Sequence, residues 1–134
     1  MTKYDELIKC AISAREKAYA PYSQFKVGAA LLCKDGKIYS GCNIESSAYS
    51  DTVCAERVAF FNAISLGHRD FSAIAIVGGK DKICDFVFPC GTCRQVMQEF
   101  CTQDFNVVVY NGEEAKCYTL KDLLPYSFNK ESIK

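Results

Sequence analysis

The sequence lacks net charge: Lys plus Arg and Asp plus Glu number 16 each. No long-range field therefore gathers a polyanion, which argues against DNA or RNA as the partner. It also lacks any apolar run near the ~20 residues needed to span a bilayer, and its polar, amphipathic N-terminus lacks the apolar segment of a secretory signal. Internal repeats, linkers and low-complexity tracts are absent. There is one histidine, His68. It follows the glycine that closes a helical stretch and is expected to be exposed and without a catalytic role.

The chain of 134 residues has the length of one domain, and we expect a single domain over residues 1–134. At 49% hydrophobic and 24% charged it has the composition of a globular protein, which excludes disorder as the main state. Its nine cysteines are an odd number. With no secretory signal, this places the chain in a reducing cytoplasm.

Two cysteine stretches organise the chain: Cys54-Ala55-Glu56-Arg57 and Pro89-Cys90-Gly91-Thr92-Cys93-Arg94-Gln95. Catalytic zinc takes about three protein ligands of thiolate or imidazole type and leaves a position for water. Cys54, Cys90 and Cys93 supply such a set, with Cys90 and Cys93 spaced to point both sulfurs at one place from a helix start. Glu56 is two residues from the lone ligand, where a proton shuttle for water is needed. Cys-x-Glu followed by Pro-Cys-x-x-Cys is the zinc deaminase signature with three cysteines as ligands. Three thiolates on a dication leave about one negative charge, which raises the pKa of bound water unless offset. Arg57 and the helix start at Cys90 are the available positive sources. Cys10, Cys33, Cys42, Cys84, Cys101 and Cys117 are expected to act as small core hydrophobes.

Helical spacing of apolar residues over 4–20 predicts an amphipathic helix stopped by Pro21. Residues 25–33 and 37–43 read as strands joined by the turn Lys34-Asp35-Gly36. Gly28-Ala29-Ala30 implies close packing by the cysteine-bearing helices. Ser50-Asp51-Thr52 offers capping before a helix over 54–66, placing Cys54 in its first turn. A strand over 71–77 is expected to run parallel to an earlier one. A helix over 93–100, strands over 105–110 and 115–119, and a short helix over 120–124 complete the chain. This order implies an α/β fold, a three-layer α-β-α sandwich around a mixed sheet of about five strands.

The motifs, together with Tyr22 to Ala30 and Gly41-Cys42-Asn43-Ile44-Glu45, give the chain a resemblance to the cytidine deaminases of the short, homotetrameric kind, over residues 19–128. That resemblance implies hydrolytic deamination of cytidine and deoxycytidine with one zinc per subunit. It further implies that Phe25 lines the pyrimidine pocket, Ala55 contacts substrate, and Asn43 and Glu45 grip the ribose hydroxyls. Arg57 becomes a donor to the ligand sulfurs. Phe128 reaches a neighbouring subunit's active site, and Tyr49 contributes in the same way. The implied partners are a small-molecule nucleoside and further copies of the chain in a homo-oligomer, a tetramer, with no nucleic acid and no membrane. Ser46 stands where asparagine is commoner after the glutamate, leaving the ribose contacts of that loop open.

On residues alone, other readings stand beside this one. Phe25 also suits a buried aromatic, and Phe128 a tail residue. A structural zinc with a fourth cysteine is a non-enzyme alternative. A blasticidin S-type deaminase shares the metal motifs; Phe25 and Asn43 favour the ordinary nucleoside.

Overall fold

The structure, a computed structural model, describes residues 3–134. A first helix, α1 (Asp5–Arg15), leads to the hairpin β1 (Lys26–Cys33) and β2 (Ile38–Cys42). Helix α2 (Ala55–Ser65), strand β3 (Phe71–Gly79) and helix α3 (Gly91–Phe100) follow, then β4 (Asn106–Tyr110), β5 (Ala115–Thr119) and the short α4 (Leu120–Leu123). The five strands form one mixed sheet in the order β2-β1-β3-β4-β5. Only β3 and β4 pair in parallel.

The sheet separates two apolar layers. On one face Leu7, Ile8 and Ala11 of α1 pack against Ala30, Ala73, Ala75, Val77 and Val108. On the other, Ala55, Ala59, Phe60 and Ala63 of α2 and Met97 of α3 pack against Ala29, Leu31, Ile74, Ile76, Val107 and Val109. The period of two along β1, β3 and β4 assigns alternate residues to the two layers. β3 is covered on both faces, which explains its nearly continuous apolar sequence.

Turn chemistry fixes the connections. Gly36 takes a φ of +93°, while Asp35 Oδ1 accepts from Lys37 N at 3.0 Å and holds the hairpin closed. α2 ends in a Schellman arrangement: Gly67 at φ +99° bonds back to Ile64 O, and His68 N donates to Ala63 O.

Three expectations are corrected or refined. α1 stops at Arg15, well before Pro21, because Tyr19 leaves the helical path to bridge Ile44: Tyr19 N donates to Asn43 O, and Glu45 N to Tyr19 O. β3 runs parallel to the earlier strand β2, as expected, but does not pair with it: the earlier strand beside it is β1, to which it is antiparallel, because the crossover through α2 passes over β1. The small run in β1 meets the cysteine-bearing helix α2 through Ala29 alone, while Gly28 and Ala30 face α1. A Cβ on Gly28 would lie 2.1 Å from Ala11 O in α1, so Gly28 admits α1 and not a cysteine-bearing helix. The close approach of α2 occurs at Gly41, where a Cβ would meet Ala59 N at 2.5 Å and Ala55 O at 2.7 Å.

Topology brings the cysteine motifs together. β2 and β3 run the same way, and each is followed by a helix on the same face, so α2 and α3 both start at one end of the sheet. The start of β1 lies there too, since Lys26 pairs with Gly79 and Gly28 with Cys42. In open α/β sheets such an end is where ligands bind. Gly41→Ala is accordingly expected to push α2 outward. We predict about 1–3 kcal/mol of destabilisation in denaturant unfolding, together with a reduced turnover number.

Candidate functional site

Cys54 and Cys90 are the N-cap residues of α2 and α3, one position ahead of the first turn in which Cys54 was expected. Cys93 is the third residue of α3 and is buried. Cys90 Sγ lies 3.5 Å from Cys93 Sγ and 3.8 Å from Cys54 Sγ, and the three sulfurs fall within 4.8 Å of one another. A disulfide requires about 2.05 Å, so these are free thiols. A tetrahedral zinc with bonds of about 2.3 Å separates its sulfurs by about 3.8 Å. The spacing and the all-sulfur donor set fit that ion. Both helix starts point positive partial charge at the sulfurs.

Arg57 completes the electrostatics. Its Nη2 donates to Cys54 Sγ at 3.4 Å, and its Nε is buried with no hydrogen-bond partner among the described residues. Hydrogen bonds from the Cys93 thiol, Arg57 and Cys90 bring the Cys54 thiol down to about 5 against the opposing effect of burial. Cys93, the donor to that thiolate and itself buried, is pushed up. Outer hydrogen bonds to metal ligands are typically worth 10- to 100-fold in affinity or activity. We expect Arg57→Ala to cost roughly that much in zinc affinity measured by chelator competition.

Glu56, the second residue of α2, is only 4% exposed. Burial pushes its carboxyl up to about 7, and the adjacent Cys54 thiolate acts in the same direction. A buried carboxyl beside the Cys54 and Cys93 sulfurs, titrating near neutrality, is suited to taking up and returning a proton. Ala55, between Cys54 and Glu56, has a fully buried side chain. What it can offer a ligand is its first-turn N–H, which has no intrahelical acceptor.

Phe25 precedes β1 and is 37% exposed, its ring close to Gly78. It borders a cavity of about 400 Å³ with Gly78, Gly79, Lys80, Lys82 and Asp85. Asn43 is buried: its Nδ2 donates to Phe25 O at 2.8 Å and its Oδ1 accepts from Val27 N at 2.9 Å. The amide thus fixes the backbone under Phe25 and keeps one N–H and one lone pair for a ligand. Glu45 accepts from Tyr22 N at 2.9 Å, Ser23 N at 3.1 Å and the Ser23 hydroxyl, and these bonds hold its carboxyl below the ordinary range. Tyr49 is 69% exposed at φ +63°, with its ring edge-on to Tyr22 at 5.8 Å. Glu45 and Tyr49 share a second cavity of about 420 Å³ with Tyr22, Ser23 and Thr52. The Ser46 hydroxyl is engaged locally, accepting from Ala48 N at 3.2 Å.

Phe128 stands apart. Gln95 Nε2 on α3 donates to its carbonyl at 2.7 Å, but the ring is 61% exposed and lines neither cavity. His68 is not exposed as expected. Its ring packs against Tyr39 with centroids 4.9 Å apart, far from the cysteine motifs at the other end of α2. Cys84 and Cys117 are exposed and do not join the core.

Sequence reasoning gave α1 no part in the site, yet Arg15 is a positioning residue. Buried beneath the site, it donates to Gly79 O at 2.7 Å and to Lys26 O and Lys80 O, each at 3.3 Å. The available signal was its place on the apolar stripe with Ile8 and Ala11. Arg94 does the same for the second motif, donating to Pro89 O and Leu123 O, each at 2.7 Å.

A family model described as the cytidine and deoxycytidylate deaminase zinc-binding region matches residues 1–109. A cytidine deaminase of Sporosarcina psychrophila is 51% identical over 130 residues, covering 96% of this chain and 93% of the relative. One from Halalkalibacterium halodurans is 50% identical, covering 95% of each. The crystal structure of cytidine deaminase from Burkholderia pseudomallei superposes with a TM-score of 0.86 at 47% identity, covering 96% of this chain and all of that one.

Proposed function

The chain belongs to the cytidine and deoxycytidylate deaminase family, and from that premise we propose that it hydrolyses cytidine and deoxycytidine to the uracil nucleosides and ammonia. The observation that carries this reading is the convergence of the Cys54, Cys90 and Cys93 sulfurs beside the buried carboxyl of Glu56. Those sulfurs hold one zinc. When bound, zinc supplies the Lewis acidity that makes water nucleophilic near neutral pH.

The chain's own groups then account for the proton movements. Glu56 takes a proton from water and gives it to N3 of the cytosine ring as oxygen adds to C4. The hydroxyl proton of the adduct passes through Glu56 to the exocyclic nitrogen; the C4–N4 bond breaks, ammonia leaves and the C4 carbonyl forms. Phe25 packs on the base, Ala55 offers its N–H, and Asn43 and Glu45 use their remaining positions on the ribose hydroxyls. Arg57 offsets the thiolate charge. A panel of cytidine, deoxycytidine, cytosine and blasticidin S tests the assignment. The nucleosides should be deaminated and the free base and antibiotic spared; a preference for blasticidin S would overturn it.

The working form we propose is a homotetramer of single-domain subunits in the reducing cytoplasm, feeding cytosine nucleosides into the uracil pool. Tyr19, Tyr22, Tyr49, Phe61, Leu66 and Phe128 are all exposed, more apolar surface than an isolated subunit favours. Phe128 and Tyr49 would then enter a neighbour's site. Mixing Glu56→Gln with Phe128→Ala chains under subunit exchange should restore activity that neither has alone. No recovery in demonstrably mixed oligomers would remove Phe128 from the shared site.

A further inference from the structure

At the opposite end of the sheet a second group of ligand-bearing side chains converges. Cys33 closes β1, Asp35 sits in the hairpin turn, and His68 follows the Schellman glycine of α2. One ligand atom from each lies within 4.8 Å of the others. We propose that Cys33 Sγ, Asp35 Oδ2 and His68 Nδ1 form a second zinc site, independent of the deaminase reading.

The orientation of each group points inward. His68 Nε2 faces the Tyr39 hydroxyl at 2.8 Å, which leaves Nδ1 turned to Asp35 Oδ2 at 3.8 Å. Asp35 Oδ1 is already committed to Lys37 N, so Oδ2 is the free oxygen. Cys33 is only 2% exposed, and its sulfur makes no hydrogen bond among the described residues. A histidine that binds metal through one ring nitrogen ordinarily gives its other N–H to a fixed oxygen, and Tyr39 supplies that oxygen. Thiolate, carboxylate and imidazole suit zinc, with water in the fourth position. The thiolate and carboxylate together neutralise the dication. Binding releases the Cys33 proton and requires the three groups, now within 4.8 Å of one another, to close by at most about 1.3 Å to reach tetrahedral spacing. The backbone around them is held by the hairpin turn and the helix end, so a bound ion would clamp the β1–β2 turn to the α2–β3 connection.

The test counts metal on the full-length protein after equilibration with micromolar zinc and gel filtration. Wild type should carry two zinc per chain. Cys33→Ser, Asp35→Asn and His68→Phe, the last keeping a ring on Tyr39, should each carry one and still deaminate cytidine. In a Cys90→Ala background, Co²⁺ should give a thiolate charge-transfer band that Cys33→Ser abolishes. One zinc per wild-type chain, or a second zinc that persists in all three variants, would overturn the site.

Discussion

A Glu56→Gln protein is expected to keep its zinc and its fold while losing roughly 10²- to 10⁴-fold in turnover, the part supplied by positioned proton transfer. The substitution is isosteric, and the site around it is closed by packing of α2 on the sheet, so nothing structural need move. What disappears is the basic oxygen: an amide cannot take a proton from water or return it to the leaving nitrogen. A stability readout separates this loss from unfolding. Burial raises the Glu56 carboxyl from 4.5 to about 7. The folded chain therefore binds this proton more tightly than the unfolded one. The group's contribution to stability is fully present below about 4.5 and is lost as pH rises through about 7. The metal-free Glu56→Gln protein, neutral at every pH, should then be at least as stable as metal-free wild type above pH 7. Near-normal turnover in zinc-replete Glu56→Gln would remove Glu56 from the chemistry.

Cys90→Ala is expected to have an effect at least as large, by a different route. Two sulfurs remain, too few to retain zinc at the site through gel filtration, and turnover should fall to the metal-free background. Folding should survive: Cys90 is exposed, its side chain makes no cap hydrogen bond to α3, and Arg94 holds the preceding Pro89 carbonyl. Circular dichroism like wild type, with one zinc equivalent lost, is the predicted pair of results. Full zinc retention would show that the sulfurs at Cys54 and Cys93 recruit a different ligand.

What was legible in the sequence is what short spacing determines. Cys90 and Cys93 fall on one helix start, and Glu56 next to Cys54, because three or four residues of helix leave little freedom. The Asp35-Gly36 turn and the Gly67 helix stop are local in the same sense. Contacts that span the chain were not legible. Nothing near Arg15 announces that it bonds Gly79, sixty-four residues away. The end of α1 is set by a bridge from Tyr19 to Ile44, and the neighbour of β3 by the path of α2 over β1. Asn43 shows the boundary between these cases. Its motif was visible, but its amide's engagement with Phe25 and Val27 depends on how β1 and β2 pair. His68 looked like a loop residue because the Tyr39 ring that shelters it lies on another strand.

The most direct test of the account is a titration of metal-free protein with zinc while uridine and ammonia are both measured from cytidine. Without metal there should be no turnover. Activity should rise in proportion to occupancy of the Cys54, Cys90 and Cys93 site, with one ammonia released per uridine. Turnover that persists in metal-free protein, or a zinc-loaded chain that leaves cytidine unchanged, would contradict it.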